Sequence, residues 1–305
     1  MAYNLKDKLV VAVSSRALFD LEAENKIFEE KGLDEYYKYQ LENEDTPLKK
    51  GTGFRLIDNL LKINDYFSEE EKQVEVIILS KNNAASSLRI TTAINTHKLD
   101  IVCSGWTSGN DISTYLKAYK VDLFLSAAEE DVINAIQNGV AAAKILPSHE
   151  DVHNSLGNQV RIAFDGDAVL FSEESELVYK KHGLEAFVEH EKKNKDNPMK
   201  KGPFGKLLLT IASLQQKFKD KESPIRTALV TARSAPTHER VIKTLNVWGV
   251  RIDEAFFLGG SEKYEILEAF GADIFFDDQD THLDLSVSVV PSAKVIHKSI
   301  EDFNK

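Results

Sequence analysis

Short apolar runs, separated by longer stretches of mixed polarity, set the rhythm of the chain. Residues 9–13 (LVVAV), 74–79, 121–125, 162–164, 228–230, 255–258 and 273–276 are too short for buried helices and read as buried strands. Between them, 22–31, 54–64 and 88–96 repeat their apolar positions at helical spacing, and Gly32 reads as a helix stop. Strands that alternate with helical segments predict an α/β fold with a Rossmann-type, largely parallel sheet.

The same order of elements occurs twice. Gly32-Leu33 recurs as Gly183-Leu184, an offset of 151 residues. At that offset Asp45, Pro47, Lys49, Lys50 and Gly51 fall on Asp196, Pro198, Lys200, Lys201 and Gly202. Arg89 falls on Arg240, Asn95 on Asn246, Leu116 on Leu267 and Asp122 on Asp273, with no gap. One register held over half a chain points to an internal duplication into tandem units, 1–151 and 152–305. Each unit carries a helical insert after its first strand, at about 22–64 and 173–219.

Ligands of such sheets sit at the carboxyl ends of the strands. In the second unit these ends are rich in polar groups. The run 161–171 (RIAFDGDAVLF) places Asp165 and Asp167 two residues apart after a strand, so both can project from one side. Two such carboxylates repel each other and lose hydration, a cost that a divalent cation removes. A plain Asp-Gly turn is the rival reading. Further ends lead into Thr231, Arg233 and Ser234, into Gly259-Gly260 and Lys263, and into Asp277-Asp278. A carboxylate nucleophile, a hydroxyl, an ammonium and an acidic pair suit phosphoryl transfer assisted by Mg²⁺.

The first unit serves as a control. Its residues at the corresponding positions are Ser14 and Arg16 for Asp165 and Asp167, Ser126 and Ala127 for Asp277 and Asp278, and Ile112 for Lys263. Residues needed by the fold would be present in both units, so the contrast places the chemistry in the second. The rival roles are structural. Lys263 lies among Glu262, Glu265 and Glu268 and could pair on a helix surface. Thr231, Asp277 or Asp278 could cap a helix, and Arg233 could be solvated. His182, His190 and His238 lack metal-ligand spacing, and the charged run 189–195 reads as a solvated face.

Composition narrows the function classes. Over 305 residues, 42% are hydrophobic and 29% charged, and the formal net charge is −11. That balance argues against a nucleic-acid binder, while a small anionic substrate focused in one cleft remains compatible. The single cysteine, Cys103, allows no internal disulfide and reads as a small buried apolar residue. No apolar run reaches the length of a membrane span, and 9–13 is too short for a signal-peptide core. The expectation is a soluble cytoplasmic protein.

Residues 164–168 (FDGDA), Thr231, Lys263 and Asp277-Asp278 match in order the four motifs of the haloacid dehalogenase-like phosphohydrolases. The phrases VSSRALF (13–19), FDGDAVLF (164–171), VTARSA (230–235) and IFFDDQ (274–279) further resemble the cytosolic type I 5′-nucleotidases, over nearly the whole chain. The resemblance implies Mg²⁺-dependent hydrolysis of nucleoside 5′-monophosphates, AMP foremost. It makes Asp165 the nucleophile and Asp167 the general acid and base, and gives Thr231 and Lys263 to the phosphate. It gives the cation to the Asp165 carboxylate, the Asp167 backbone carbonyl and one of Asp277 and Asp278, with Asp278 favoured. Residues 173–219 occupy the place of that superfamily's cap, and Arg233 and Ser234 become candidate substrate contacts. Phe171 and Phe187 are either core residues or a stacking surface. The N-terminal unit is a second wall of the cleft, a support, or a homo-oligomer contact, with Arg16 marking a vestigial anion site. The alternatives are a phosphatase of another small phosphomonoester and a catalytically silent nucleotide sensor.

Overall fold

The structure, a computed structural model, describes residues 5–148, 159–219 and 221–296. Packing divides the chain into two compact units, Met1–Val140 and Ala141–Lys305. The boundary expected at 151/152 lies outside the described residues. The division falls earlier because the strand that follows Val140 hydrogen-bonds within the second unit.

Unit 1 comprises, in chain order, β1 (Leu9–Val13), α1 (Ser15–Leu18), β2 (Phe19–Asp20), α2 (Glu22–Lys31), α3 (Leu33–Glu42), β3 (Lys49–Lys50), α4 (Phe54–Lys62), β4 (Val74–Ser80), α5 (Leu88–Thr96), β5 (Cys103–Trp106), α6 (Ser113–Ala118), β6 (Leu123–Ser126) and α7 (Glu129–Gln137). Its main sheet runs β6-β1-β4-β5, with every pairing parallel. Unit 2 comprises β7 (Ala141–Ile145), β8 (Val160–Phe164), α8 (Glu174–Lys193), α9 (Gly205–Gln216), β9 (Ile225–Thr231), α10 (His238–Trp248), β10 (Glu254–Phe257), α11 (Tyr264–Phe270), β11 (Ile274–Asp277), α12 (Asp280–Ser286) and β12 (Ser292–Lys294). Its strands lie in the order β10-β9-β8-β11-β12-β7, parallel except for β12 against β7.

The elements of unit 2 recur at the 151-residue offset. β8, β9, β10 and β11 start and end at the positions that correspond to β1, β4, β5 and β6. Local interactions recur with them. Asp122 accepts from the Val10 amide at 3.1 Å, and Asp273 from the Arg161 amide at 2.8 Å. Arg89 donates through Nε to the Thr46 carbonyl and Arg240 to the Asn197 carbonyl, both at 2.9 Å. The helical inserts also correspond: Gly32 joins α2 to α3 at φ 84°, and Gly183 breaks α8 at φ 79°. Gly32 is thus a joint between two helices rather than a terminus.

Alternation along the strands fills both faces of the unit 2 sheet. Phe275 packs with Ala163, Val230, Leu267 and Leu283 on one face. Its neighbour Phe276 stacks on Phe164 at 5.6 Å and meets Phe204 at 4.8 Å on the other. A period of two along β11 produces this division. Cys103 is half-buried rather than buried, because β5 ends the run β6-β1-β4-β5 and lacks a pairing on its outer side within unit 1.

Candidate active site

Three neighbouring strands of unit 2, β9, β8 and β11, deliver their carboxyl ends to one place. Asp165 follows the last residue of β8, its amide bonded to the Phe276 carbonyl at 2.8 Å. Asp277 closes β11 and Asp278 follows it. Lys263, at the start of α11, reaches in and donates to Asp165 Oδ1, and to Asp277 Oδ2 at 2.7 Å. It is 2% exposed, which removes the surface-helix reading. Asp277 has further partners: the Gln279 amide at 2.8 Å on Oδ1 and His282 Nδ1 at 3.0 Å on Oδ2. Asp278 differs, since its Oδ1 is buried without a hydrogen-bond partner among the described residues. Each of Asp165, Asp277 and Asp278 has a carboxylate oxygen within 4.8 Å of the others'.

The charges in this cluster do not balance. Burial pushes Asp165 up to about 7; Lys263 opposes the rise, and Asp277 and Asp167 add to it. Burial also pushes Asp278 up to about 8, with the charges of Asp165, Glu176 and Asp277 behind it. Asp277 feels the same burial, yet Lys263 and His282 outweigh it and hold its carboxyl below the usual range. Lys263 is raised, because the two carboxylates outweigh its own desolvation. Three carboxylates around one ammonium, with one oxygen orphaned, form an all-oxygen set that fits a hard divalent cation.

A second network surrounds Asp167, whose carboxylate lies outside this cluster. Both of its oxygens accept from Arg233, at 2.7 Å from Nε and 2.6 Å from Nη2. Arg233 also donates from Nη1 to Glu191 at 2.6 Å and lies over the Phe187 ring at 5.2 Å. Its three nitrogens are therefore engaged by carboxylates, so it is neither solvated nor open to substrate in this arrangement. Glu191 belongs to the run expected to be a solvated face, yet it is 1% exposed. Arg233, Arg240 at 2.9 Å and Ser175 at 2.7 Å all donate to it. Burial works against the charge of Glu191, but the two arginines prevail and lower its pKa. Glu191 lies four residues after Phe187, on the inward face of α8.

Thr231 is buried at the end of β9, where Oγ1 accepts weakly from the Arg233 amide at 3.4 Å. It does not cap a helix: α10 starts after Thr237. Gly166 lies against it, and a Cβ there would stand 3.4 Å from Thr231 Oγ1. Ser234 is exposed, with its carbonyl bound by Thr237. Phe171 is fully buried and Phe187 nearly so, which favours packing over stacking for both. The sequence reading did not single out Glu191, His282 or Glu176. Only the match of Arg240 to Arg89 hinted that an arginine anchors the insert.

The parallel sheet, the insert after the first strand and the acidic cluster at the strand ends define an α/β protein of the haloacid dehalogenase-like kind. The family model described as 5′-nucleotidase matches residues 1–302, and the chain belongs to that family. It is 40% identical over 288 residues to cytosolic 5′-nucleotidase 1B of Homo sapiens, covering 92% of this chain and 47% of the relative. The chain thus spans about half the length of that curated relative. No solved structure gives a significant match. No described helix is long and apolar enough to cross a membrane.

Proposed function

We propose that unit 2 hydrolyses nucleoside 5′-monophosphates, with AMP as the favoured substrate, magnesium as the cofactor and the cytosol as the location. The observation that carries this reading is the acidic cluster around Lys263 at the ends of β8 and β11, in a chain of the 5′-nucleotidase family. Asp165 attacks phosphorus through a carboxylate oxygen as the bond from phosphorus to the ribose 5′-oxygen breaks, giving an aspartyl-phosphate. Asp167, which takes up a proton from solvent once it is free of Arg233, gives that proton to the departing 5′-oxygen and then takes one from the water that attacks the aspartyl-phosphate, releasing phosphate. For this it must leave the fork of Arg233, which keeps its carboxylate masked beforehand. Lys263 and Thr231 hold the phosphoryl oxygens. The Asp165 carboxylate, the Asp167 backbone carbonyl and Asp278 would hold magnesium, whose charge offsets that of the substrate phosphate. Asp278 suits this role because its orphaned Oδ1 has no competing partner among the described residues, whereas Asp277 is engaged by Lys263, His282 and the Gln279 amide.

Phosphate release from a panel of monophosphates tests the reading. Nucleotides are expected to turn over in Mg²⁺ well ahead of a sugar phosphate, and Asp165→Asn is expected to lose at least about 10³-fold in kcat while keeping its circular dichroism. Indifference to the nucleoside would move the protein to a broader phosphatase. Absence of turnover in the wild type would leave a nucleotide sensor.

A further inference from the structure

Unit 1 holds a cavity of about 590 Å³ that the reaction in unit 2 does not use. That volume lies within the range of small-molecule sites. The cavity occupies, in unit 1, the place of the acidic cluster in unit 2. Its floor includes Ser14, Ser80 and Ser126, which follow or end β1, β4 and β6, and its wall includes Phe28 and Tyr36 from the insert helices α2 and α3.

The two places differ systematically in charge. Asp165, Asp167, Glu176, Glu191, Asp277 and Asp278 of unit 2 correspond to Ser14, Arg16, Asn25, Gln40, Ser126 and Ala127 of unit 1. Six carboxylates become neutral groups and one arginine. The cavity does line three acids of its own, Glu24, Glu130 and Asp131. Glu24 is neutralised by the buried Arg89, and Asp131 by Lys81 at 2.7 Å, with Glu130 at 3.7 Å from the same lysine. A metal ion therefore meets only carboxylates already paired with a cation, while the hydroxyls and Arg16, whose Nε has no partner among the described residues, favour an anion.

The site is also built. Arg16 is steadied from α2, donating to Asn25 at 2.9 Å and to Glu22 at 2.9 Å, and its buried Nε has no partner among the described residues. Ser15 and Ser80 share a hydrogen bond at 3.0 Å, and Tyr36 donates to Asn82 at 3.0 Å and accepts from Gln40 at 3.0 Å. Phe28, which also lines the cavity, meets Tyr36 edge-on at 6.0 Å and is nearly half exposed. An open aromatic face beside a hydroxyl and guanidinium floor matches a ligand that joins a flat ring to a phosphate.

We propose that this cavity is a second, non-hydrolytic site for a nucleoside monophosphate, bound without a metal ion. The choice of nucleotide rests on the reading of unit 2, while the cavity and its charge stand apart from it. Removing the carboxylate nucleophile, the acid–base group and the metal-binding carboxylates is what leaves the ligand intact: the position of Asp165 holds the neutral Ser14, and that of Asp167 holds Arg16, which cannot act as a base to activate it.

Calorimetric titration of the full chain with AMP in EDTA tests the proposal. The expected result is one bound equivalent with no phosphate released. Arg16→Ala is expected to weaken that binding at least tenfold and to retain hydrolysis in Mg²⁺ at saturating AMP, which also shows that the variant is folded. No binding in EDTA, unchanged binding in Arg16→Ala, or adenosine bound as tightly as AMP would each overturn it. So would loss of the binding in Asp165→Asn, which would place the ligand in unit 2. Failure of the nucleotidase reading shows separately, as absent phosphate release in Mg²⁺.

Discussion

Asp277 and Asp278 are adjacent in sequence and opposite in chemistry. Asp277 ends a buried strand with its oxygens fully engaged, and its charge is held in place by Lys263 and His282. Asp278 is buried with an orphaned oxygen and its carboxyl is pushed up to about 8. In the metal-free folded chain Asp278 therefore keeps its proton well above the value of 3.8 from which it starts in an unfolded chain. Between those values the folded state binds the extra proton, so stability falls as pH rises through that window, and the contribution is complete only at its acid end. Asp278→Asn has nothing to ionise. In chelator it is expected to lose less stability than the wild type between about pH 5 and pH 8, by on the order of 1–3 kcal/mol. Denaturant unfolding at both pH values reads this, and parallel losses in the two proteins would contradict it. Arg233 makes a separate prediction at this scale. Arg233→Ala leaves Asp167 without its fork and Glu191 with Arg240, Ser175 and the more distant His190. Breaking such a buried ion network costs about 3–5 kcal/mol, measured as a lowered denaturation midpoint. A loss below about 1 kcal/mol would show that the network is not formed.

Among the elements, the inserts turn on single glycines. Gly183 sits within α8 at φ 79° and ψ −176°, a region essentially reserved for glycine. Gly183→Ala is expected to cost about 1–3 kcal/mol in thermal or chemical unfolding; a neutral outcome would mean that the helix straightens without loss. The element level is also where the sequence was most readable. The apolar runs located β1, β4, β6, β8, β9 and β11, since each is buried on both faces or nearly so; β10 was found by its apolar run as well, although it is half-buried to exposed rather than the buried strand expected, because it lies at the end of the strand order. They passed over β5 (CSGW), β7 (AAAKI) and β12 (SAK), whose small or polar residues carry little hydrophobic signal although hydrogen bonding makes them strands. In the site, Asp165, Lys263, Asp277 and Asp278 were legible because each follows an apolar run in one unit and is absent from the other. The ion network of Asp167, Arg233 and Glu191 was not legible. Its members lie 66 and 42 residues apart, and no local pattern separates an inward-facing glutamate from its solvated neighbours.

Over the whole molecule, two units with the same strand order carry different charges at the same strand ends. A chain with a formal net charge of −11 handles an anionic substrate only by focusing positive charge locally. In unit 2 a bound cation and Lys263 would provide it, and in unit 1 Arg16. Mg²⁺ is accordingly expected to raise the thermal midpoint of the whole chain by relieving the acidic cluster, with a gain of about 2–3 kcal/mol near a hundredfold excess over its dissociation constant. Asp278→Asn is expected to lose most of that gain, and an equal gain in both proteins would place the ion elsewhere. The most direct measurement is acid quenching during turnover of AMP labelled in its phosphate, followed by digestion and mass analysis. Label on the peptide containing Asp165, absent from Asp165→Asn, is the expected result. Label on another residue, or active turnover with no trapped phosphoenzyme under any quench time, would contradict a nucleophilic Asp165.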